Sequence, residues 1–140
     1  MVDFNYQFNF ELSDEVRYSK WLGAVALSEN KSLGDLSYVF CTDDFLLEIN
    51  QKYLNHDTLT DIITFDYCDN DFIHGGEIYI SVDRVKDNAK DFVVSFDDEL
   101  LRVMSHGLLH LIGFGDKTDI EKSIMRLKED EKIKMFHVKQ

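Results

Sequence analysis

The chain has 140 residues, 44% of them hydrophobic and 13% aromatic, with no proline and a formal net charge of −12. That length suits one folded domain, residues 1–140, able to bury roughly two-thirds of its unfolded surface without disulfides or metal, and the apolar content excludes disorder. The charge works against casual nucleic-acid binding, whose affinity comes mainly from cations on phosphates.

The charge is uneven: residues 1–115 hold 21 acids and 8 bases, whereas residues 116–140 hold 6 acids and 7 bases. The C-terminal segment reads as a solvated helix of mixed charge, or else as an electrostatic footing for a polyanion. Cys41 and Cys68 form no CxxC pattern, which suits small buried thiols in a reducing compartment. The opening MVDFNYQFNFELSD lacks a basic-then-apolar leader. No stretch approaches the ~20 apolar residues of a membrane span, so a cytoplasmic protein, monomeric and without a membrane partner, is expected.

In chain order, Phe4, Tyr6, Phe8, Phe10 and Leu12 alternate with other residues and predict a half-buried strand. Ser13 is expected to cap a helix reaching about Ser28, with Val16, Trp21, Leu22 and Val25 inward. DLSYVFCT predicts a second strand. Thr42 caps the helix DDFLLEINQKYL, where Phe45, Ile49 and Lys52/Tyr53 follow helical spacing. DIITFDY and EIYISV predict two more strands, separated by the acidic, glycine-ended loop CDNDFIHGG. Asp83 to Val93 predicts an amphipathic helix. Ser95 and Asp98 resemble a capping box for a long helix from Phe96, with Phe96, Leu100, Val103, Gly107, Leu108 and Leu111 on its buried side. Gly113 supplies its stop. Thr118 and Glu121 cap a last helix to about Phe136. The order β-α-β-α-β-β-α-α-α predicts an α+β fold, a small mixed four-stranded sheet packed with helices.

Chemistry concentrates in SHGLLHLIGFGD, residues 105–116. His106 and His110 are i and i+4, so on a helix their Cβ atoms lie ~5–6 Å apart and both imidazoles can reach one ion. Gly113 lets the chain turn back, and Asp116 brings an oxygen. The H-x3-H-x5-D spacing matches that of zincin metal helices with two substitutions. Three protein ligands leave a fourth position open, the arrangement of a catalytic zinc. Read without a metal, the pair is two core histidines needing other partners, because an unpaired buried polar group costs ~1–3 kcal/mol. Zincin peptidases carry a glutamate general base after the first histidine; here Gly107 occupies that position and cannot move a proton.

HGLLHLIGFGD resembles the signature H-G-x-L-H-L-x-G-Y-D-H of the YbeY family of rRNA maturation factors. His106, Gly107, Leu109, His110, Leu111 and Gly113 match, with Phe114 in place of tyrosine. INQKYLNHDTLTDIITFDY is similar to the family's L-N-x-x-Y-R-x-x-D-x-P-T-D-V-L-S-F through Asn50, Tyr53, Asp57, Thr60, Asp61 and Phe65. GGEIYIS resembles the strand that follows, and MRLKEDE the closing M-x-x-x-E. The resemblance implies a metal-dependent endoribonuclease acting on single-stranded RNA in maturation of the 16S rRNA 3′ end and in ribosome quality control. rRNA or the ribosomal subunit would be its partner, one zinc ion per chain its cofactor, and His106, His110 and Asp116 the metal ligands.

Four further positions depart from the pattern. The third histidine ligand falls on Asp116, the preceding aspartate on Gly115, the family's proline on Leu59 and its arginine on Leu54, which leaves the catalytic residue unassigned. A carboxylate ligand leaves a bound divalent ion less positive than three histidines do and widens the choice toward harder ions such as Mn²⁺. His56, Asp61 and Lys117 are the candidate substrate-binding residues, and Asp61 could instead orient a ligand histidine. Two rivals remain at this level: a non-catalytic, metal-containing ribosome-assembly factor, favoured by Leu54 and the acidic charge, and a zincin-like metallopeptidase, disfavoured by Gly107.

Overall fold

Strand and helix periods settle into nine elements among the described residues: β1 (Val2–Tyr6), α1 (Glu15–Ser28), β2 (Ser32–Cys41), α2 (Asp43–Leu54), β3 (Ile62–Asp66), β4 (Phe72–Ser81), α3 (Val82–Phe92), α4 (Phe96–Ile112) and α5 (Asp119–His137). The structure, a computed structural model, describes residues 2–55, 60–66 and 72–138, with side chains from residue 75 onward in the last stretch. His56, Asp57 and Cys68, and most of the loop before Gly75, lie outside the described residues.

The expected α+β architecture forms. The sheet order is β1-β2-β4-β3, with β1, β2 and β4 parallel and β3 antiparallel to β4 at the edge. Parallel neighbours require a crossover, and α1 supplies it between β1 and β2. Strand alternation sorts side chains onto two faces. Leu36, Tyr38 and Phe40 of β2, with Ile78 and Ile80 of β4, enter the main core with α1 and α4. On the other face, Cys41, Ile63, Phe65 and Tyr79 meet Phe45, Leu46 and Ile49 of α2.

The first segment differs from its prediction. β1 ends at Tyr6 because its register partner there is Phe40, one residue short of the end of β2. Phe8 and Phe10 keep the alternation without a ladder, and Phe10 packs 5.5 Å from the Phe40 ring. Tyr6 Oη donates to Glu15 and accepts from Leu12 N, turning the chain into α1. The α1 cap is Asp14 rather than Ser13, with Oδ1 accepting from Arg17 N at 3.2 Å. Val16 is consequently 65% exposed and Tyr18 takes the inward position. On α2, Leu46 and Asn50 are buried whereas Lys52 and Tyr53 are exposed. β4 starts at Phe72, so Gly75 and Gly76 lie in the strand and not in a loop.

One buried stripe on α4 is too narrow a reading. Leu101, Met104, Ser105 and Leu109 are buried as well, because the helix is covered by the sheet, α1, α3 and α5. Two glycines permit its approach. A Cβ on Gly107 would stand 2.8 Å from Ile62 Cδ1 and 3.0 Å from Ile78 Cγ2; one on Gly76 would stand 2.8 Å from Leu111 Cδ1. Beyond its acidic first turn, α4 carries a partly buried polar stripe of Arg102, His106 and His110, spaced i, i+4, i+8.

Candidate metal centre

α4 ends where the spacing requires. Gly113 takes φ 124°, which a side chain would strain, and its N–H bonds back to Leu109 O and His110 O. The turn then carries Asp116 toward the helix it left. The turn is braced by α5: Thr118 and Glu121 form a capping box, and Glu121 Oε1 also accepts from Lys117 N at 3.2 Å. The Glu121 carboxyl fills the space that a Cβ on Gly115 would need.

The two histidines and Asp116 come together. Their Nε2 atoms are 2.9 Å apart, and Asp116 Oδ2 is 3.3 Å from each. For bonds of ~2.0–2.1 Å, two ligands on a tetrahedral ion stand about 3.3 Å apart, so the triangle has the size that a small divalent cation needs.

Hydrogen bonds at the far side of each ring sharpen this test. His110 Nδ1 lies 2.9 Å from Phe114 O, a pure acceptor, so that nitrogen carries the proton. His106 Nδ1–H donates to Glu129 Oε2 at 2.6 Å. In their neutral forms both rings therefore present bare lone pairs at Nε2. Two lone pairs and a carboxylate oxygen thus converge with no proton to share, a donor set that could hold a metal ion.

Glu129 is the residue that sequence reasoning did not place. It lies on α5, is nearly buried, and its other oxygen accepts from Arg102 Nη1 at 3.0 Å while Arg102 Nη2 holds Asp130 at 2.7 Å. Burial disfavours charge on His106, but the Glu129 hydrogen bond and charge, with Asp116 and Asp61, outweigh it and raise its pKa above the ordinary histidine value. The signal was present as the glutamate of the closing M-x-x-x-E, Met125 to Glu129; spacing alone could not tell which helix face meets the histidines.

Other expected site residues stand apart. Asp61 makes no hydrogen bond to either histidine and meets His106 only through charge; its Oδ2 accepts from Asn88 Nδ2 at 3.3 Å, and burial pushes its carboxyl up although the His106 charge pulls it down. Lys117 is exposed on the turn after Asp116. Leu54, at the position of the family arginine, ends α2 and is 41% exposed. At Gly107, which faces the sheet, even a Cβ would press on the side chains of Ile62 and Ile78, so a zincin-type glutamate there would require both to shift.

A family profile described as Endoribonuclease YbeY matches residues 5–137. A protein named endoribonuclease YbeY from Flavobacterium psychrophilum is 59% identical over 100% of this chain and 99% of its own. One of the same name from Bacteroides thetaiotaomicron is 46% identical over 84% of this chain and 85% of its own. The solution structure of TM1509 from Thermotoga maritima superposes with a TM-score of 0.69 at 26% identity, covering 97% of this chain and 89% of that one. Profile, relatives and fold agree with the motif around the two histidines, and the chain belongs to the YbeY endoribonuclease family.

Proposed function

We propose that residues 1–140 act as one unit, a zinc-dependent endoribonuclease that cuts single-stranded RNA during rRNA maturation, at the 16S 3′ end and in ribosome quality control, in the cytoplasm. The supporting observation is the convergence of His106 Nε2, His110 Nε2 and Asp116 Oδ2 within 3.3 Å, with both imidazole tautomers set from behind. No helix among the described residues is long and apolar enough to cross a membrane.

His106, His110 and Asp116 would hold the ion, zinc first and manganese as the oxygen-tolerant alternative. A divalent ion there supplies Lewis acidity to a phosphoryl oxygen or a water. The protein's own part is positional. Glu129 and Phe114 O keep the histidine rings oriented, Arg102 keeps Glu129 in place, and the Glu121 cap keeps Asp116 on the open side. Gly107 offers no general base, which suits a substrate whose 2′-hydroxyl is an internal nucleophile and which distinguishes RNA from DNA. Asp61, Lys117 and His56 are the proposed substrate contacts.

The test is incubation of a labelled single-stranded RNA with purified protein and zinc or manganese, with elemental analysis of wild type and Asp116→Ala in parallel. Cleavage abolished by His106→Ala and an ion lost with Asp116 are expected; cleavage that survives His106→Ala rules the centre out. Leu54 favours a second reading, a ribosome-assembly factor that binds particles without cutting. Ribosomal-particle binding retained by His106→Ala, with no cleavage by wild type, would select it.

A further inference from the structure

Most guanidinium and ammonium groups near the centre are already held. Arg84, Arg102, Lys128 and Lys132 each pair with carboxylates. Lys122 and Arg126 are exposed, one turn apart on α5, and their charged ends make no ion pair among the described residues.

Their placement follows from the helix hairpin. Arg102 reaches Glu129 and Asp130, and His106 reaches Glu129, so the flank of α5 that carries Arg126 and Asp130 faces the polar stripe of α4. α5 returns antiparallel through the 113–118 turn. Each step back along α5 from Glu129 therefore matches a step forward along α4 from His106. By that count Arg126 falls opposite Leu109, within the span of the histidine pair, and Lys122 opposite Gly113. The opposite flank is taken by α1, through Lys128 and Glu29. Ser123 and Leu127, exposed beside the two cations on the same helix, add a hydroxyl and an apolar side chain to that open face.

We infer that Lys122 and Arg126 form a phosphate rail that guides the backbone of single-stranded RNA past the His106–His110–Asp116 cluster, supplying the positive charge that Leu54 lacks. This rests on the endoribonuclease reading above. An RNA strand is the occupant because the rail lies in a segment, residues 116–140, with 7 bases against 6 acids in a −12 chain, and Arg126 is one turn along α5 from Glu129, which bonds to His106.

The experiment is fluorescence anisotropy of a labelled 2′-O-methyl single-stranded oligoribonucleotide with zinc-loaded protein over a range of salt. Wild type is compared with Lys122→Gln/Arg126→Gln and with Lys86→Gln/Lys90→Gln. The latter pair is likewise exposed and i, i+4, on the side of α3 turned away from the Asn88–Asp61 contact, and loses the same net charge. Two lost phosphate contacts should reduce the log–log salt slope by about 1.4. We expect that change and about tenfold weaker binding in the α5 variant, less than half that slope change in the α3 variant, and unaltered zinc affinity in both. Wild type without salt-dependent binding, an equal loss in the α3 pair, or an unchanged slope in the α5 pair (as docking of an acidic protein there would leave) overturns the rail. A wild type that binds this probe with full slope but leaves the same sequence as unmodified RNA uncut refutes the endoribonuclease reading and leaves the rail standing.

Discussion

The two flanks of α5 bury charge in opposite ways. On the α1 flank, Lys132 Nζ, fully buried, bonds to Ser28 Oγ at 2.8 Å, Glu29 Oε2 at 2.6 Å and Glu131 Oε1 at 2.9 Å. All three ammonium donors are used, and Lys128 adds a second cation to Glu29. Burial alone would push Glu29 up, but the Lys132 and Lys128 hydrogen bonds hold its pKa below the ordinary value. On the α4 flank, the series from Arg102 through Glu129 to His106 does not close. It ends in an imidazole lone pair facing a second lone pair and a carboxylate. A closed set pins helices; an open one leaves a deficit that a cation can fill.

Breaking the closed flank should have the largest effect. Lys132→Ala leaves the Glu29 charge poorly compensated and should cost about 3 kcal/mol of unfolding free energy, read by urea denaturation, while zinc affinity moves less than twofold. On the open flank the pattern should invert. His106→Ala should lower zinc affinity by more than about 100-fold, beyond the range of a supporting residue, with ion-free stability nearly kept once the pH is above the raised His106 value. Glu129→Gln keeps an acceptor for His106 but loses the charge, and a 10- to 100-fold loss, on the order seen for such supporting residues, should appear in competition titrations.

The flanks should also separate by pH. Glu29 has a depressed folded pKa, so its contribution is present above the unfolded value of 4.5 and is lost as pH falls through the folded one. His106 has a raised folded pKa, so in the ion-free protein its contribution is full below 6.5 and is lost as pH rises through the folded value. Zinc should reverse that trend, because its ligands must be deprotonated; stabilisation by zinc that falls between pH 6 and 8 would contradict the assignment. The smallest effect lies outside both flanks. Val93, 90% exposed, caps α3 at φ 56°, where a β-branched side chain is strained. Val93→Gly should gain about 1 kcal/mol without touching the centre.

Much of this was legible in local sequence. The His106–His110 spacing, the Gly113 stop, the Thr118–Glu121 box and the element order depend on contacts within a few residues, and each formed as expected. Errors arose where a long-range partner decided the outcome. Phe8 to Leu12 alternated like a strand but found no partner beyond the end of β2. Val16 turned outward once Asp14 rather than Ser13 set the start of α1. His56 belongs to neither class, lying outside the described residues.

Sequence by itself determined that two imidazoles would share a helix face and that the chain would turn back within reach of them, because helix pitch and glycine φ are local properties. Only the tertiary structure decided that Glu129, 23 residues beyond His106, would accept the hydrogen bond from its Nδ1–H, and that Gly107 and Gly76 would let α4 rest on the sheet. Those outcomes depend on which faces of separate elements meet, and that is set by packing the whole core at once.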